Sequence, residues 1–101
     1  MNVNIRTNNG VVTTEVVQAF HAWDKILFIH KEIDSNNYTV SEMESGLGIV
    51  PGAASIDQES ALYKTLLFLK RKGKTRFLAN INEAIRKHGA INDASAWKPI
   101  D

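Results

Sequence analysis

A chain of 101 residues with 44% hydrophobic and 23% charged residues is sized for one domain with a single modest core. It has no Cys, which excludes disulfides, thiolate catalysis and Cys-ligated zinc and fits a cytoplasmic protein. The net charge of +1 conceals an asymmetry: residues 1–59 hold three Lys/Arg against eight Asp/Glu, whereas 60–82 hold six Lys/Arg and no acid.

In chain order, Val3 and Ile5, then Val11 and Val12, flank Asn8-Asn9-Gly10, the composition of a short β-hairpin. Thr13 or Thr14 caps a first helix with Glu15 in its opening turn. Val16, Ala19, Phe20, Trp23, Ile26, Leu27, His30 and Ile33 then recur as a wide helical stripe. Phe28 falls off that stripe. Its favoured place is under the hairpin, and the other is an exposed partner surface.

Asp34-Ser35-Asn36-Asn37 is a loop by composition. Thr39 with Glu42 forms a capping box, and Val40, Met43 and Leu47 space a short helix ended by Gly46, Gly48, Pro51 and Gly52. Ser55 with Gln58 offers another box before a helix on which Leu62, Leu66 and Leu69 make an apolar stripe. Lys70, Arg71 and Lys72 suit the negative end of that helix, and Gly73 leaves it. Phe77, Leu78, Ile81, Ala84 and Ile85 predict a further helix, capped by Thr75 and closed by Gly89. A strand over Thr75–Ala79, followed by a helix capped at Asn80, stays open as the alternative. The tail from 90 carries Trp97 as its apolar anchor before Pro99.

The expected architecture is mainly α: four helices over residues 14–89 behind a hairpin at 1–13, with a tail at 90–101. Its expected core is Phe20, Trp23, Leu27, Leu62, Leu66, Leu69, Ile81 and Ile85.

Two stretches carry family resemblances. Tyr38 to Ile49 resembles the first helix of a helix-turn-helix, with Thr39 as cap, Met43 and Leu47 inward and Gly48 at the turn. That resemblance implies that the basic helix Asp57–Lys72 is offered to the major groove. Glu44 departs from the motif, which keeps a small residue there, and the connection Gly48–Ser55 exceeds its tight turn. The opening, NVNIRTNNGVVTTEVVQAFHAWDKILFIHKEI, resembles phage regulatory proteins of the Rha and KilA-N kind through Thr14, Val17 and Phe20. It departs from them at His21, Ala22 and Trp23. Both imply a small regulator of phage or mobile-element type.

Catalytic chemistry finds no constellation. Gly73-Lys74-Thr75 matches the end of a P-loop, but the required earlier Gly is Phe68. His21, His30 and His88 lack zinc-ligand spacing; His30 reads as a hydrogen-bonded core residue and His88 as a helix-end cation. No enzyme activity, metal or cofactor is therefore expected, and no apolar run is long enough for a membrane span. The functional expectation is a nucleic-acid-binding regulator that grips duplex DNA phosphates through Lys64, Lys70, Arg71, Lys72, Lys74 and Arg76. Gln58 and Thr65 would be its base-edge readers. The alternative is an inhibitor or adaptor that binds a host or phage protein, in the manner of anti-CRISPR proteins. A homodimer is left open.

Overall fold

At the centre of the fold lies a strand where the periodicity predicts helix. The computed structural model describes residues 1–32, 35–50 and 55–93. The elements are β1 (Asn2–Thr7), β2 (Gly10–Glu15), β3 (Gln18–Ala22), β4 (Lys25–Lys31), β5 (Tyr38–Glu42), α1 (Gln58–Lys72) and α2 (Lys74–His88). The mainly helical, four-helix expectation is therefore corrected to an α+β fold. Strands β1 and β2 form one antiparallel pair, and β3-β4-β5 form a second antiparallel sheet.

The N-terminal hairpin is present, with Thr7 paired to Gly10 across Asn8 and Asn9. Gly10 opens β2 at φ +102°, a conformation that glycine adopts without steric cost.

Residues 14–33 were expected to be one long helix. Instead β3 and β4 turn back on each other at Trp23 and Asp24. The physical reason lies in the layering. Ile26 and Phe28 face the hairpin and pack with Val3, Ile5 and Met43. Leu27 and Ile29 face the other way, into a cluster with Val40, Ala61, Leu69, Phe77 and Ile81. A strand buried on both faces shows a continuous apolar run, and such a run fits helical spacing as readily as strand. Phe28 takes the favoured place under the hairpin and is wholly buried.

The helix expected after Thr39 is β5 followed by a tight turn, so the first helix of a helix-turn-helix is absent. Glu42 does not close a capping box with Thr39. Its carboxylate accepts the backbone N–H groups of Glu44 and Ser45, both at 2.8 Å, inside the turn. The outer edge of β5 is covered by the returning chain, through Ile49 N to Val40 O at 2.9 Å and Ser55 N to Tyr38 O at 2.8 Å. Ser55 is thus a bridge residue. The cap of α1 is Asp57, whose Oδ1 accepts from Ser60 N at 2.7 Å. That bond holds the Asp57 carboxyl below its ordinary range.

Helices α1 and α2 are separated by Gly73 alone, at φ +85°. Thr75 does not cap α2, and Thr75–Ala79 is helical. Gly89, with its N–H bonded to Ile85 O, closes it. Two expected core residues are corrected: Trp23 is 43% and Leu66 51% exposed. Trp23 sits at φ 57° on the β3–β4 turn, and its ring packs against Phe77 of α2 at a centroid distance of 5.5 Å.

The start of the tail is tied down by Ile91 and Asn92. Asn92 exchanges hydrogen bonds with the Asn4 backbone and donates to Met43 O. The Ile91 side chain packs against Gly46, where φ is +72° and an added Cβ would collide with Ile91. Ile33, Asp34, Pro51, Gly52, Trp97 and Pro99 lie outside the described residues.

His30 is a buried, hydrogen-bonded core residue, in a strand rather than a helix. Its Nδ1 donates to Lys31 O at 2.9 Å, leaving Nε2 to accept from the Ser41 hydroxyl at 2.8 Å. Burial pushes the imidazole below its ordinary value of 6.5, opposed in part by the Lys31 carbonyl and the charge of Glu32. Between the depressed folded value and 6.5 the unfolded chain binds more protons, so stability falls as pH drops through that window. Denaturant titrations at about pH 7.5 and pH 5 should show wild type losing stability in acid and His30→Gln losing less. A His30 ring that titrates at or above 6.5 by NMR would contradict the assignment.

Candidate nucleic-acid interface

Charge alone does not make a surface; the chain must bring the cations to one place. Because α1 and α2 meet at Gly73, residues from the end of one and the start of the other line one groove. Phe68, Arg71 and Lys72 come from α1, and Arg76, Ala79 and Asn80 from α2, around a volume of about 610 Å³. The Lys72 ammonium lies over the Phe68 ring, 5.2 Å from its centroid, so its stem covers apolar surface while its charge stays at the rim.

The six sequence-predicted cations do not all share this groove. Arg71, Lys72 and Arg76 line it. Lys74 begins α2 next to them, and Lys64 precedes Arg71 by seven residues on the same stripe of α1. Lys70 is turned by about 100° from Arg71 and points to a different face. Among the described residues, none of the six forms an ion pair.

Among the described residues no acid lines the groove. The nearest on the same stripe of α2 is Glu83, seven residues after Arg76, and it is already engaged. Its Oε1 meets Arg86 at 2.6 Å and Lys87 at 3.6 Å. The Arg86 hydrogen bonds hold the Glu83 carboxyl below its ordinary range. The N-terminus of α2 carries no acid in its first turn and no side-chain cap, so its positive end adds to the same field.

The two expected base-edge readers are placed elsewhere. Thr65 is buried, 2% exposed, and its hydroxyl donates to Ala61 O at 2.8 Å, which removes it from any groove. Gln58 starts α1, about 21 Å of helix away from Lys72. Asn80 was missed by sequence reasoning. It lies four residues after Arg76 and so shares its face of α2. The available signal was that spacing on a helix lying directly after the basic turn.

Chemically, the arrangement offers guanidinium and ammonium groups, one amide and an apolar floor. These are groups for holding an anion with several charges. Among the described residues no cluster of three or more His, Asp or Glu is set to hold a metal, and no helix is long and apolar enough to cross a membrane.

Comparison with protein-family models, with curated proteins and with solved structures returned no match, so the resemblance to Rha and KilA-N regulators gains no support there.

Proposed function

We propose that this chain is a small DNA-binding regulator that grips duplex phosphates through the groove between α1 and α2. The observation that carries the reading is the convergence of Arg71, Lys72 and Arg76 on one groove that, among the described residues, has no acid in its lining and no ion-pair partner for these cations. Cations already paired within the fold would gain little from phosphate; unpaired ones release condensed counterions when they bind it. The reading side moves from α1 to α2. Arg76 and Asn80 are exposed there at i, i+4, and their side chains are the types that pair bidentately with guanine and adenine edges.

The test is binding to duplex DNA across a salt series. With three to five phosphate contacts, log K should fall against log salt with a slope of roughly −3 to −5. Changing Arg71 and Arg76 together to Ala should flatten that slope by about two and weaken binding. The fold should survive, because both side chains are solvated and such changes seldom exceed about 0.5 kcal/mol. The inhibitor or adaptor reading expects instead no measurable DNA affinity at about 50 mM salt. That result with a folded protein would replace the DNA reading.

A further inference from the structure

One face of α1 carries exposed apolar side chains. Tyr63 is 65% exposed and Leu66 51% exposed, three residues apart on the helix, with half-buried Leu62 and Leu67 on either side. Large apolar residues clustered on a helix face mark a contact surface more often than an accident of packing. The charges at the two ends of this strip decide what fits it. Helical spacing places Glu59 four residues before Tyr63 and Lys70 four residues after Leu66, all on one stripe. Both charged residues are exposed, and among the described residues neither forms an ion pair.

A strip that is acidic at one end, basic at the other and apolar between is complementary to itself when reversed. We infer that α1 pairs with α1 of a second copy, antiparallel about a two-fold axis between Lys64 and Thr65. Tyr63 of each copy then meets Leu66 of the other, and each Glu59 meets the opposite Lys70. This is an isologous interface, in which the same patch serves both sides. Ile56, 82% exposed, extends the strip toward the other copy's Gly73, where the structure leaves open space. Phe68, on the floor of the basic groove, lies five residues from Tyr63 and faces nearly the opposite side of α1 from this strip. Pairing therefore leaves the groove free, and the inference does not depend on the nucleic-acid reading.

A single helix of 15 residues gives an interface at the small end of the stable range, so the dimer should dissociate at micromolar concentrations. Sedimentation of the full chain, without nucleic acid, over about 1 μM to 1 mM should show the mass rising from 11.3 kDa toward twice that value. Leu66→Glu should hold it at the monomer mass with an unchanged circular dichroism spectrum. Glu59→Lys and Lys70→Glu, each alone, should weaken association about tenfold or more by setting like charges opposite each other. The double swap should restore it to within about threefold of wild type.

A monomer mass at about 1 mM overturns the inference and leaves the strip to a different protein. A dimer indifferent to Leu66→Glu, or single swaps that the double swap does not rescue, overturns this antiparallel arrangement.

Discussion

Phe28→Ala is expected to cost about 3–5 kcal/mol, the upper range for emptying an aromatic site in a core. Phe28 has no solvent exposure and lies where the N-terminal hairpin meets the three-stranded sheet. Val3, Ile5, Ile26 and Met43 surround it, and its ring packs against His30 at 5.2 Å between centroids. The hairpin is two strands only, and an isolated two-stranded hairpin is marginal in water. Its seat on Phe28 is therefore much of what keeps it folded. Domains of this size have total stabilities of about 5–15 kcal/mol, so the Ala variant sits close to the limit of folding. Phe28→Leu supplies the measurable companion. It keeps much of the volume and should cost about 1–2 kcal/mol by denaturant titration with the slope unchanged. A loss under about 0.5 kcal/mol in both variants would mean that the hairpin does not rest on this side chain.

The same layering explains which parts of the fold were legible from residues alone. The hairpin could be read because Asn8-Asn9-Gly10 is local turn chemistry that needs nothing from the rest of the chain. The two C-terminal helices could be read because each has one solvated face, so polar and apolar positions alternate at helical spacing. Their C-terminal ends followed from Lys70-Arg71-Lys72-Gly73 and from Gly89, whereas their starts, expected at Ser55 and Thr75, lie at Asp57 and Gly73. The span Gln18–Lys31 was misread for the opposite reason. With β4 covered by the hairpin on one side and by the helices on the other, both faces are apolar from Ile26 to Ile29 and no alternation betrays a period of two. Its Ile and Phe content was the signal for a strand, and the turn at Trp23-Asp24 carries no glycine to announce it.

The basic cluster was visible as a charge window. The meeting of Arg71 and Lys72 with Arg76 and Asn80 in one groove needed the junction at Gly73, whereas the pairing of Glu83 with Arg86 and Lys87 is local i, i+3 and i, i+4 spacing on α2. Thr65 was misassigned because the apolar stripe was drawn through Leu66; the buried positions of α1 run Ala61, Thr65 and Leu69 at i, i+4 and i+8.

Glu42→Ala is the second substitution expected to have a large effect, about 3–5 kcal/mol, although Glu42 belongs to neither the groove nor the apolar clusters. The side chain is 1% exposed, and each carboxylate oxygen accepts one backbone N–H, from Glu44 and from Ser45. Its backbone closes the same turn, through its N–H to Leu47 O at 2.9 Å and its carbonyl from Gly46 N at 2.8 Å. The turn in turn anchors other elements. Arg6 of β1 donates from its backbone to Gly46 O and from Nε to Ser45 O, and its Nη2 reaches His88 O and Gly89 O at the end of α2. Removing the carboxylate strands two N–H groups under the turn and loosens the point where β1, β5 and α2 meet. Glu42→Gln keeps the shape but only one acceptor oxygen, so it should lose one of the two bonds, about 1.5–3 kcal/mol. Hydrogen exchange supplies a readout that does not depend on global unfolding. In Glu42→Gln one of the two amides, Glu44 or Ser45, should lose protection while the other keeps it. A Gln variant as stable as wild type, with both amides protected, would show that the carboxylate does not hold the turn in this way.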